Sequence, residues 1–311
     1  MRLRRTSAIA AVAAAVAATT AAVYPSAPAD RLQAMPALTA PALAARYTAD
    51  AHQIARAARA ASRAGNTGLA HSLNGMRGGQ YLDFNPAGQG LAVEVFGNLA
   101  TATRVAILVP GSDTSLTTFD TRGTASPQGA ARALMAQARE LAPHARLAVI
   151  AWLGYKTPST LSPAVMTSGD AGQGAAALRP FVDDLVRHGH QVALICHSYG
   201  SVVCGLAAAH LPVTDIAVVG SPGMDASSVR ALHTTARVWA GRGTGDWIQH
   251  VPHVHFLGLG FGQDPMAPAF GARIFSCGGG GGGHSDYFTP GGAALRNLAR
   301  IALGDPARVT R

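Results

Sequence analysis

From about residue 79 onward the chain alternates short apolar runs with longer stretches of helical pattern. The apolar runs occupy residues 105–109, 147–152, 192–196, 216–219, 237–240 and 273–275, each bounded by turn residues. Between most of them lie helical stretches at 129–141, 174–188 and 200–210, and a last one follows at 293–303. Continuous apolar strands alternating with helices predict a mostly parallel sheet with helices on both faces. Two further runs, 81–84 and 91–96, flank Asn85-Pro86-Ala87-Gly88-Gln89-Gly90 and predict a hairpin, which adds antiparallel strands at one sheet edge. The fold class expected is therefore α/β with an antiparallel leading hairpin.

Ahead of this region, residues 46–63 contain no Gly or Pro and are dense in Ala, which predicts a helix. Arg56, Arg59 and Arg63 fall on one face of it. Its other face is mostly Ala, with little to insert in a membrane, so a packed surface helix is expected. Residues 30–44 are rich in Pro and Ala and read as a linker. The first 29 residues have the order of an export signal: a basic start at Arg2, Arg4 and Arg5, an apolar stretch over 8–23, and small residues in Ser26-Ala27-Pro28-Ala29. The organisation expected is a signal peptide over 1–29, a linker and helix over 30–78, and one catalytic domain over 79–311. The protein is expected outside the cytoplasm, secreted or in the cell envelope. No later stretch is long and apolar enough to span a bilayer.

Composition narrows the field. Hydrophobic residues make up 48% of the chain and charged residues 13%, which excludes a disordered protein. The formal charge is +9, but three of the arginines lie in the first five residues, and the single Lys is Lys156. The remaining basic charge is Arg spread thinly, without the clustering of a nucleic-acid footprint. Three cysteines, Cys196, Cys204 and Cys277, leave at least one thiol unpaired within the monomer. Cys196 and Cys204 flank a tight turn, where they form either a bridge or a pair of small buried side chains.

That turn carries the chemistry. A strand at 192–196 runs into His197-Ser198-Tyr199-Gly200 and then into a helix, which places Ser198 at the apex of a nucleophile elbow. Residues two before and two after the serine must be small. Gly200 satisfies this, and Cys196 stands where a first Gly is usual. The helix N-terminus supplies N–H groups at the apex, and the Tyr199 N–H is expected to face a developing oxyanion. A second donor is expected from the loop Val109-Pro110-Gly111-Ser112-Asp113, through the Ser112 N–H. A serine hydroxyl needs a base, and in this fold the acid precedes the histidine in the chain. Asp246 follows the strand at 237–240, and His284 follows the strand at 273–275 and the glycine run at 278–283. Asp225 and Asp264 are the alternative acids.

His250, His253 and His255 have metal-like spacing, but no Cys or carboxylate accompanies them, so no metal is expected. The glycine run lacks the Lys-Ser/Thr ending of a phosphate loop and is expected to be a hinge for His284. Trp152 and Tyr155 either wall a substrate pocket or cap the sheet.

The segments Val109-Pro110-Gly111, Trp152-Leu153-Gly154-Tyr155, His197-Ser198-Tyr199-Gly200-Ser201 and Gly283-His284-Ser285-Asp286-Tyr287 together resemble the actinobacterial α/β-hydrolase family once catalogued as a domain of unknown function, DUF1023. The resemblance covers roughly residues 79–303. It implies an α/β-hydrolase fold with a Ser-His-Asp triad and supplies no substrate. The function expected is a serine hydrolase that cleaves an ester-type, small-molecule or lipid-like acyl substrate without a cofactor. The alternatives are an acyltransferase, or a non-catalytic cell-envelope binding protein on the same scaffold.

Overall fold

A computed structural model describes residues 31–121, 123–251, 259–278 and 282–311. The expected signal peptide lies outside the described residues, as do His253, His255 and the middle of the glycine run. Among the described residues, eight strands form one sheet: β1 (Gln80–Asn85), β2 (Leu91–Phe96), β3 (Arg104–Val109), β4 (Leu147–Leu153), β5 (Gln191–His197), β6 (Asp215–Val219), β7 (Arg237–Gly241) and β8 (Arg273–Ile274). Their spatial order is β1-β2-β4-β3-β5-β6-β7-β8. β2 pairs antiparallel with both β1 and β4, and every other pair is parallel. Thus only β2 is reversed, as the leading hairpin requires.

The helices α1 (Ala40–Arg63), α2 (Thr67–Gly75), α3 (Leu116–Phe119), α4 (Pro127–Leu141), α5 (Gly169–Arg187), α6 (Gly200–Ala207) and α7 (Ala293–Leu303) cover the sheet. One face packs Val105, Ile107, Val109, Ile150 and Trp152 against α5 and α6. The other packs Ala106, Leu108, Val149 and Ala151 against α1, α2, α4 and α7. Because both faces are covered, every residue of β4 and β6 is buried, which is why these strands read as unbroken apolar runs. α4 begins where Ser126 accepts the Gly129 N–H and Pro127 occupies the first turn, where its missing N–H costs nothing.

The N-terminal part differs from expectation in extent. α1 begins at Ala40 rather than near residue 46, with Pro41 in its first turn, and α2 follows it. The stretch read as a linker lies against β1: Leu38 is buried, and Leu32 and Met35 pack on the core. Arg46 fastens it, donating to the Leu82 carbonyl at 2.8 Å and to the Ala34 carbonyl at 3.0 Å. These anchors are tertiary contacts, without local periodicity. Arg56, Arg59 and Arg63 stay exposed while Ile54, Ala58 and Ala61 are buried. No helix among the described residues is long and apolar enough to cross a membrane.

At the sheet edge remote from the elbow, the buried Asp215 holds β6, β7 and β3 together. It receives both Arg237 Nε and Nη2 at 2.7 Å and the Trp239 indole N–H at 2.9 Å, with Arg104 at 4.0 Å. Removing Asp215 takes the shared acceptor from the Arg237 guanidinium and the buried Trp239 indole N–H, while Arg104 keeps Ala302 and Thr214. Asp215→Ala is expected to destabilise the fold by about 3–5 kcal/mol, measured by urea denaturation. A loss below about 1 kcal/mol would contradict this account of the edge.

Candidate active site

β5 ends in a turn too tight for ordinary backbone. Ser198 has φ +53°, in the left-handed region that a non-glycine residue adopts at a cost of order 1–3 kcal/mol. Its N–H is held by the Val219 carbonyl at 3.0 Å. A Cβ on Gly200 would lie 2.4 Å from the Val109 carbonyl oxygen, and one on Gly111 would lie 2.6 Å from Ser198 Cβ. Both glycines are therefore required by close approach of the β3 loop to the elbow. Cys196 is bonded to Cys204, so the bridge expected as one of two possibilities spans the turn and ties β5 to α6. Burial, reinforced by the negative charge of Asp246, pushes the remaining Cys277 thiol up to about 12, so it stays protonated.

The structure brings Ser198, His284 and Asp246 into one line. His284 Nε2 lies 2.8 Å from Ser198 Oγ, and its Nδ1 lies 2.9 Å from Asp246 Oδ1. Asp246 is fully buried, which by itself would raise its carboxyl. Hydrogen bonds from His284, from Tyr287 Oη and from the Ile248 N–H outweigh that penalty and hold it below the ordinary carboxylate range. Tyr287 is itself oriented by the Gly243 N–H at 3.2 Å. An ionised Asp246 places the His284 proton on Nδ1 and leaves the Nε2 lone pair facing the serine hydroxyl.

His284 Nδ1 meets Asp246 and neither of the alternative acids. Asp264 pairs with Arg242 at 2.8 Å and caps the Met266 N–H. The Asp225 N–H binds the Phe261 carbonyl at 2.8 Å, in a loop with φ +54°.

The two expected oxyanion donors, the N–H groups of Ser112 and Tyr199, belong to residues that line one cavity with Ser198. Neither N–H has a hydrogen-bond partner among the described residues. The loop that carries Ser112 is braced from behind. Tyr155 Oη donates to the Pro110 carbonyl at 2.8 Å, the Asp113 N–H binds the Pro158 carbonyl at 3.0 Å, and Thr157 Oγ1 accepts the Thr114 N–H at 3.1 Å. Trp152 and Tyr155 are buried and stack at 6.1 Å. Neither is among the residues that line this cavity, so of the two placements open from the sequence, pocket wall or cap of the sheet, they do not take the first. Tyr199 turns its hydroxyl to the Thr167 carbonyl at 2.6 Å, tying the elbow to the start of α5.

The cavity holds about 550 Å³ and is mostly apolar, with Leu108, Ile195, Phe288, Met166 and Phe261 among its lining residues. Several site residues were not singled out from the sequence. The Trp247 ring lies 4.7 Å from that of His284, one residue after Asp246 in a stretch without strand pattern. His197, beside the serine, donates from Nε2 to the His284 carbonyl at 2.7 Å and packs ring to ring at 4.9 Å. Desolvation, with the neighbouring His284 adding to it, pushes His197 down to about 4, so it is neutral near pH 7.

The family model described as "Alpha/beta hydrolase" matches residues 85–256. Two uncharacterized proteins of Mycobacterium tuberculosis are each 33% identical over 251 residues, covering 70% of this chain. The chain spans only 37% of the length of these relatives. Among solved structures, esterase LipW from Mycobacterium marinum is similar at 15% identity and a TM-score of 0.44, over 90% of this chain and 96% of that one. An α/β serine hydrolase from Xanthomonas campestris is similar at 16% identity and a TM-score of 0.42, over 69% and 88%. These structural overlaps are loose.

The depressed His197 has a consequence for stability. Its folded value near 4 lies below the unfolded value of about 6.5. Between those values the unfolded chain binds more protons, so this group adds stability that is complete above about pH 6.5 and is lost as pH falls toward 4. His197→Gln keeps an N–H donor for the His284 carbonyl and does not titrate. It is expected to lose less stability between pH 7 and pH 5 than the wild type, measured by denaturant unfolding at each pH. Equal losses in the two proteins would contradict the assignment.

Proposed function

The chain belongs to the alpha/beta hydrolase family, and we propose that within it this protein is a serine hydrolase that cleaves an ester-type acyl substrate through Ser198, His284 and Asp246. The observation that carries the proposal is the unbroken hydrogen-bonded line from Ser198 Oγ through His284 to the buried Asp246, at the wall of an apolar cavity. His284 Nε2 takes the hydroxyl proton as Oγ attacks the ester carbonyl carbon, and Asp246 stabilises the imidazolium. The N–H groups of Ser112 and Tyr199 hold the oxyanion. His284 then returns the proton to the departing alcohol, leaving the acyl group on Ser198. Water adds by the same route in reverse: His284 takes its proton, the ester to Ser198 breaks, Oγ is reprotonated, and a carboxylic acid leaves.

The substrate class that suits this cavity is a small-molecule or lipid-like acyl ester, not a nucleic acid. We further propose that the protein acts outside the cytoplasm. The basic, apolar and small-residue order of residues 1–29 supports export, and the Cys196–Cys204 bridge suits an oxidising compartment.

Two measurements check these proposals. On a panel of p-nitrophenyl esters of rising chain length, Ser198→Ala is expected to lose on the order of 10⁶ in kcat and Asp246→Asn on the order of 10⁴, with Asp225→Asn close to wild type. Near-wild-type turnover by Ser198→Ala would sink the proposal, and a large loss at Asp225 would move the acid. Mass spectrometry of protein collected outside the cell is expected to give an N-terminus at Asp30. An intact Met1 there would contradict cleavage.

A further inference from the structure

Among the described residues, the large hydrophobic side chains that stand exposed are Leu161 (95%), Trp247 (52%), Leu259 (51%) and Met166 (43%). Single exposed apolar residues are ordinary on protein surfaces, where they are scattered. These four are not scattered. Leu161 and Met166 follow β4, and Trp247 and Leu259 follow β7, so all come after the carboxyl ends of strands parallel to β5, the side that carries Ser198. Met166 and Trp247 line the mouth of the cavity itself. Leu161 follows Thr160, another lining residue, whose N–H is tied to Asp113 Oδ1 at 3.0 Å. Leu259 precedes Gly260, whose N–H binds the Met166 carbonyl at 3.0 Å. The apolar rim thus continues the apolar lining outward.

The segments that carry these side chains also lack formal charge. Residues 157–169, 247–251 and 259–263 contain no Asp, Glu, Lys or Arg. Of the nearby carboxylates, Asp264 is paired with Arg242, and Asp113, bound by the Thr160 N–H and hydroxyl, is the charge that remains beside the rim. A surface that must leave water for a head-group layer gains from apolar area and is opposed by any charge it carries with it. Trp favours that boundary because its ring is apolar and its N–H is polar. We propose that this rim is a docking surface for a neutral lipid–water interface, entered by Leu161, Met166, Trp247 and Leu259, so that an acyl chain passes from the lipid layer straight into the cavity. The passage of substrate rests on the hydrolase proposal above, whereas the docking does not.

The test uses phosphatidylcholine vesicles and the catalytically silenced Ser198→Ala protein. Trp152 and Trp239 are buried, so a change in tryptophan emission reports on Trp247. The protein is expected to sediment with the vesicles and its emission to shift to the blue. The pair Leu161→Ser and Leu259→Ser, which lies outside the cavity lining, is expected to weaken partitioning about tenfold or more. In the otherwise wild-type chain, the same pair should leave hydrolysis of a soluble short ester unchanged and slow hydrolysis of a long-chain ester held in vesicles. Failure to sediment, or partitioning that the pair does not change, would overturn the docking surface. Vesicle binding without turnover of any ester would keep the docking and sink the hydrolase proposal. Turnover of soluble esters without vesicle binding would do the reverse.

Discussion

The site depends on one steric constraint: the β3 loop and the β5–α6 turn meet with no room for a side chain between them. Ser198 takes a left-handed backbone so that the chain can reverse from strand to helix within two residues. The carbonyls of Val109 and Pro110 then press on Gly200, and Gly111 presses on Ser198. Because Gly200 meets backbone carbonyls and Gly111 meets the Cβ of Ser198 itself, the β3 loop and the turn that carries the serine hydroxyl are held in close relation. The Cys196–Cys204 bridge closes the same turn covalently, and Tyr155, Thr157 and Pro158 brace the loop from its far side. Preorganised donors need no rearrangement when charge develops.

The second requirement is a charge kept in a dry place. Asp246 has no exposed surface, yet three donors hold its carboxyl below the ordinary range. Tyr287 binds its Oδ2 and the Ile248 N–H its Oδ1, which fixes the carboxylate that His284 meets. His197 contributes from the other direction. It is neutral, it fixes the His284 backbone through its carbonyl, and it adds no positive charge that would compete with imidazolium formation. Asp246, His284 and the His284 backbone are thus each held by a neighbouring group.

Much of this was legible in the sequence, for a physical reason. The central strands are buried on both faces, so 105–109, 147–152, 192–196 and 216–219 read as unbroken apolar runs, and the fold order then placed Ser198, Asp246 and His284 beyond the ends of β5, β7 and β8. The leading hairpin was legible from its turn residues. Other features depend on contacts between distant segments and carry no local pattern. α2 is short, and the stretch before α1 is held by Arg46, Leu32 and Met35 rather than by periodicity. Trp152 and Tyr155 could have faced either way, and only the packing of Phe181 and Pro110 decides it. Trp247 and Phe261 reach the cavity from a connection rich in Gly, Pro and His, where neither strand nor helix spacing indicates which side chains turn inward.

The central claim is that Ser198 is the nucleophile made reactive by His284 and Asp246. The most direct measurement is peptide mapping by mass spectrometry after treatment with a fluorophosphonate, which bonds only to a serine made nucleophilic by its neighbours. The account predicts a single phosphonyl adduct on the peptide that carries Ser198, absent after heat denaturation and in Asp246→Asn strongly slowed. An unmodified Ser198 peptide from folded protein, or an adduct on another serine such as Ser112, would contradict it.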